Sequence, residues 1–207
     1  MRSCELLNHC SSGNSSLVIN RLCSEARELN AAVGCLYCDY RGQKEQTAEV
    51  MIGSLLKQFL RGLPEIPVII RQAFQAARTQ LGGRELELAE LVGLFPAVLR
   101  RFKEVFICVD ALDEFIVEYR PRFLRSLCQI VDKSPKVRIF LTARPHIQSE
   151  LGSGAPPDMG IITVQPSFND IEKYLVEKLD ADPHLAAMDT NLRSEIMTKI
   201  LRESSKM

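Results

Sequence analysis

The stretch Val105-Phe106-Ile107-Cys108-Val109-Asp110-Ala111-Leu112-Asp113-Glu114 constrains this chain more than any other. Five consecutive apolar residues stop at an acid, and two more acids follow shortly after. A continuous apolar run of that length reads as a strand of a parallel sheet, buried on both faces. In such sheets ligands bind beyond the carboxyl ends of the strands, which is where Asp110 falls. An acid at that point can hold Mg²⁺, directly or through water, and a second can orient an attacking water. Asp110 is therefore the candidate metal ligand, and Asp113 and Glu114 are candidate catalytic acids. The plainer alternative is a solvated strand-to-loop junction.

The rest of the chain alternates between two periodicities. Helical spacing of apolar residues predicts helices over 15–30, 46–60, 66–80, 86–102, 122–132, 169–179 and 192–201. Gly82-Gly83 separates two of them, and Pro121 suits a first helical turn. Short apolar runs predict strands at 33–40, 137–142 and 161–164. The second ends in Ala143-Arg144-Pro145, so Arg144 is placed to reach the crevice beyond Asp110. Strand and helix in alternation argue an α/β domain with a mainly parallel sheet.

Composition narrows the partners. Lys+Arg and Asp+Glu both number 26 among 207 residues, so no net charge recommends a nucleic acid or an anionic membrane. No apolar stretch approaches the roughly 18 residues of a membrane span, and Met1 to Cys10 lacks the apolar segment of a secretory signal. Seven cysteines, several inside apolar runs, fit reduced thiols in a cytoplasmic protein. Cys35 and Cys38 have C-x-x-C spacing, but no second pair follows at zinc-site spacing, and the structural reading is preferred.

These motifs together resemble the NACHT nucleotide-binding domain of STAND-type P-loop NTPases, especially fungal proteins that carry ankyrin or similar repeats. Cys35–Tyr40 resembles the second strand of that domain, and Gln46-Thr47 with Leu55–Leu60 the helix after it. Val109–Glu114 is similar to its Walker B element, and Phe140–Pro145 to its sensor strand, with Arg144 at the sensor position. Pro166 with Asp170–Leu175 resembles the start of the helical lid. The resemblance implies a three-layer P-loop NTPase core over 1–165 and the beginning of a lid over 166–207. It also implies ATP or ADP with Mg²⁺, an effector and a repeat sensor as neighbouring domains, and possible homo-oligomers. By the same resemblance Arg144 senses the γ-phosphate or links it to the lid.

One part of the pattern departs. The phosphate loop G-x-x-x-x-G-K-S/T aligns with Asn8-His9-Cys10-Ser11-Ser12-Gly13-Asn14-Ser15. Gly13 and Ser15 match, Ser15 as a second candidate Mg²⁺ ligand, whereas Asn14 stands where a lysine would meet the phosphates. Asparagine donates hydrogen bonds but carries no charge to offset theirs. A helix cap at Ser15 or Ser16 is the alternative for this segment. Both ends read as cut, which makes the expectation a fragment of a nucleotide-dependent signalling switch, in fungi associated with non-self recognition and cell death. The alternative is a non-hydrolysing pseudo-NTPase that acts through protein contacts.

Overall fold

The computed structural model describes residues 13–80, 82–148, 160–164, 167–181 and 189–204. The chain divides into two compact units, Met1–Asp158 and Met159–Met207.

In the first unit the elements run in the order α1 (Gly13–Leu29), β1 (Ala31–Tyr37), α2 (Ala48–Arg61), α3 (Val68–Thr79), α4 (Leu88–Leu99), β2 (Glu104–Asp110), α5 (Arg120–Lys133) and β3 (Val137–Leu141). The three strands form one parallel sheet in the order β1-β2-β3. Its register sets Tyr37 opposite Asp110 and Val109 opposite Leu141. The strand of the acidic run is thus the central one, as its unbroken hydrophobicity requires.

Each connection between neighbouring strands is helical, as parallel pairing demands, and right-handed crossovers in one direction place their helices on one face. The core follows from this. Ala32 and Leu36 of β1, Val105, Ile107 and Val109 of β2, and Val137 of β3 share one parity and one cluster with Ile52, Leu55, Leu56 and Phe59 of α2, Leu91, Val92, Phe95, Val98 and Leu99 of α4, and Phe123, Leu127 and Ile130 of α5. Phe59 anchors it, edge-on to Phe95 at 6.2 Å and tilted against Phe102 at 6.5 Å. Ile19 of α1 is also buried but lies outside that cluster, and Cys108 and Asp110 are buried with the opposite parity. Since α1 packs on β1 and β2, it covers the second face, and the unit has three layers.

Local chemistry sets the boundaries. Thr47 caps α2 by accepting from Val50 N at 3.3 Å. Between α3 and α4 the chain turns through Gly82 and Gly83 at φ +87° and +65°, a left-handed backbone open to glycine at little cost. The outer edge of β1 is closed by a side chain. Gln58 of α2 donates to Cys35 O at 2.8 Å and accepts from Cys35 N at 2.9 Å. This satisfies an edge residue as a neighbouring strand would.

The second unit holds α6 (Phe168–Asp180) and α7 (Thr190–Ser204). Ser167 and Asp170 form a capping box at the start of α6, and Arg193 bridges to Asp180 at 2.6 Å. Leu175 and Leu179 are buried while Tyr174 is exposed, so α6 packs on one side only. The sequence also predicts a strand at 161–164. It is absent: Ile161, Ile162 and Val164 are exposed and belong to no ladder among the described residues. β-branched residues favour a strand only where a neighbour supplies the hydrogen bonds and the packing.

Candidate functional site

The candidate residues lie at the carboxyl ends of the three strands. At the end of β2, Asp110 is 4% exposed. Thr142, just past β3, donates its hydroxyl to Asp110 Oδ1 at 2.5 Å and accepts from Ala111 N at 3.0 Å. Its carbonyl accepts from Leu112 N at 2.9 Å. One threonine therefore fixes both the acid and the turn that leaves it. At the end of β1, Cys38 N donates to the Asp110 carbonyl at 3.0 Å.

The turn itself is strained. Ala111 sits in the left-handed region at φ 54°, ψ 48°, where a residue with a Cβ is disfavoured. That kink buries Leu112 and brings Asp113 and Glu114 back toward the sheet. The Asp113 side chain is almost wholly enclosed. It accepts from Arg144 N at 3.1 Å and pairs with Arg144 Nε at 3.4 Å. Glu114 accepts from Tyr40 N at 3.3 Å and lies 4.0 Å from Arg144 Nη2. The loop that presents Tyr40 is built by Gln46, which hydrogen-bonds both backbone groups of Asp39, and by Asp39, which accepts from Arg41 N at 2.9 Å.

The acids act on their surroundings. Burial, and then the charges of Asp110, Asp113 and Glu114, push the Cys38 thiol up from 9.0 to about 12, with Arg120 opposing them. A rise of that size leaves about a thousandth of the usual thiolate at pH 8. Only the thiolate is alkylated, so Cys38 is expected to react with iodoacetamide about a thousandfold more slowly in the native domain than in the unfolded chain. Native-state alkylation read by mass spectrometry checks this, and modification at the unfolded rate would mean that Cys38 is neither buried nor beside the acids.

Asp110, Asp113, Glu114 and Arg144 are thus gathered at one end of the sheet. Gly13, Asn14 and Ser15 form the first turn of α1, so the helix begins before Ser15 and Ser16, and neither is its cap. Their side chains, and the whole of Asn8–Ser12, lie outside the described residues. Helix α1 joins β1 through Asn30 alone and packs along it. Seventeen helical residues span about 25 Å and seven strand residues about 23 Å, so the first turn of α1 returns to the end of the sheet that carries Asp110.

Three participants gave little signal in the sequence. Thr142 is an ordinary residue at a strand exit, and its position beside Asp110 follows only from the register of β2 and β3. Tyr40 contributes a backbone amide. Arg120 reads as one of several surface arginines with Arg122 and Arg125, yet it is buried.

The family model described as nephrocystin 3, N-terminal, matches residues 12–144, more than half of the chain. The chain belongs to the nephrocystin 3 N-terminal family. This is a NACHT-associated, NTPase-like region, and the family match runs from the start of α1 to Arg144, enclosing every candidate site residue. No curated protein matches the chain.

Among the described residues no three His, Cys, Asp or Glu side chains form a metal cage. Mg²⁺ does not ask for one: it keeps several waters and is held by one or two carboxylates together with phosphate oxygens. A buried Asp110 held by the Thr142 hydroxyl, with Glu114 nearby on the turn, fits that demand. Among the described residues no helix is long and apolar enough to cross a membrane.

Proposed function

We propose that this chain is the P-loop-type core of a STAND signalling NTPase, a switch that holds ATP or ADP with Mg²⁺. The supporting observation is the convergence, at the carboxyl end of a parallel sheet, of a buried Asp110 fixed by Thr142 with an Asp113–Arg144 pair. Asp110 would hold Mg²⁺, with Ser15 as a second ligand, and Glu114 would orient or deprotonate the attacking water. Mg²⁺ held by these residues would supply positive charge to offset that of the phosphates. Arg144 is bound to Asp113 through its own backbone and side chain. A γ-phosphate competing for its guanidinium would give the two nucleotide states different contacts, which a switch requires. The cytoplasm, and an effector and a repeat sensor in the same polypeptide, fit this reading, as does the fungal setting of non-self recognition and cell death.

Asn14 favours a second reading, a non-hydrolysing module. Charge-assisted contacts are about twice as strong as neutral ones, so Asn14→Lys is expected to tighten Mg·ATP binding about tenfold. Equilibrium dialysis against labelled nucleotide measures this. Unchanged affinity in a folded Asn14→Lys protein would place residue 14 away from the phosphates and remove the P-loop assignment.

A further inference from the structure

Among the described residues Arg120 is the most deeply buried charged residue, 2% exposed. Its place is costly on two counts. It is the first residue of α5, where the helix dipole disfavours a cation. Arginine is also almost never buried without partners. The hydrogen bonds explain it. Arg120 Nη2 donates to the Asp113 carbonyl at 3.0 Å and to the Phe115 carbonyl at 2.8 Å. Those two carbonyls bracket Glu114. The same turn leaves the strained Ala111, so its shape requires an external hold. The ring of Phe115, 5.1 Å from that of Phe123, fastens the far end.

We propose that Arg120 is the positioning residue of the acid site: through the Asp113 and Phe115 carbonyls it clamps the turn from which Asp113 and Glu114 project. It touches no reacting atom and acts through the backbone of the turn. Lysine is a poor substitute, because its ammonium is more strongly hydrated and no planar group holds it where Nη2 meets both carbonyls. The clamp stands on the hydrogen bonds themselves. Its consequence for ligand binding rests on the nucleotide reading above.

The test is hydrogen exchange of the full chain, wild type and Arg120→Lys, with Mg·ATP affinity measured on the same samples. In the wild type, the amides of Leu112, Glu114 and Phe115, which donate to Thr142, Ala111 and Leu112, are expected to exchange as slowly as those of β2. Exchange a hundredfold faster than β2 would overturn the clamp without any variant, including the case in which Arg120→Lys does not fold. In folded Arg120→Lys, those three amides are expected to exchange about tenfold faster, the size of a lost charged hydrogen bond, with β1 and β2 unchanged. Uniform acceleration, or none, would overturn the proposal. The Mg²⁺-dependent gain in ATP affinity is expected to fall at least tenfold while metal-free affinity holds, a split that global destabilisation does not produce. A loosened turn with that gain intact would reduce Arg120 to a structural residue and overturn the positioning role. A wild type that binds no nucleotide would defeat the proposed function, and exchange alone would then decide the clamp.

Discussion

Asp110→Asn is expected to leave the domain folded and to remove its response to Mg·ATP. The substitution keeps the shape of the side chain and an oxygen that accepts the Thr142 hydroxyl, so the hydrogen bond that fixes the end of β2 survives. The charge is lost, and one acceptor oxygen becomes a donor amide. Two unit charges 4 Å apart at an effective dielectric of 20 attract by about 4 kcal/mol, and even half of that is roughly thirtyfold in affinity. Mg·ATP affinity should therefore fall at least about thirtyfold, while binding of nucleotide in EDTA changes little. Calorimetry with and without Mg²⁺ reads both quantities. Equal losses under the two conditions would show that Asp110 supports the fold and does not face the metal.

Gly34→Val is expected to be among the most destabilising single substitutions in the sheet. Gly34 lies on the face of β1 that meets α2, and a Cβ there would stand 2.8 Å from Phe59 Cζ and 3.0 Å from Leu55 Cδ2. Phe59 cannot yield, because its ring is enclosed by Phe95 and Phe102. Overpacking a closed core costs about 1–3 kcal/mol and sometimes more, and valine adds two methyl groups beyond the clashing Cβ. A loss of about 3 kcal/mol should lower the melting temperature by about 6–12 °C in a chain of this size. Pairing Gly34→Ala with Phe59→Leu should recover part of what the two lose separately, since the shorter side chain makes room for the added methyl. Strict additivity in that double-mutant cycle would mean that the glycine is there for some other reason.

Much of this was legible because periodicity and burial have the same cause. The apolar run ending at Asp110 is a central strand, with all but Phe106 of its apolar residues buried. Helices α2, α4 and α5 show their core faces as regular stripes. Segment 161–164 misled for a related reason. Ile161-Ile162-Thr163-Val164 is locally a strand in composition, but pairing is a non-local property, and the described residues offer it no ladder. The site divides similarly. Asp110, Asp113, Glu114 and Arg144 could be named because charges at the ends of apolar strands stand out in a sequence. Thr142 and Arg120 could not. One depends on the register of β2 with β3, the other on which arginine at the start of α5 turns inward. The backbone amide of Tyr40 that holds Glu114 has no side-chain signature at all.

The most direct test of the central claim is a calorimetric titration of the purified chain with Mg·ATP and with ADP, paired with thermal melts over the same concentrations. The nucleotide-site account predicts saturable binding and a melting temperature that climbs with ligand. The native state should gain about 2.7 kcal/mol when ligand reaches a hundred times its Kd. A cooperatively melting protein that gives neither heat nor a shift at millimolar nucleotide would contradict it.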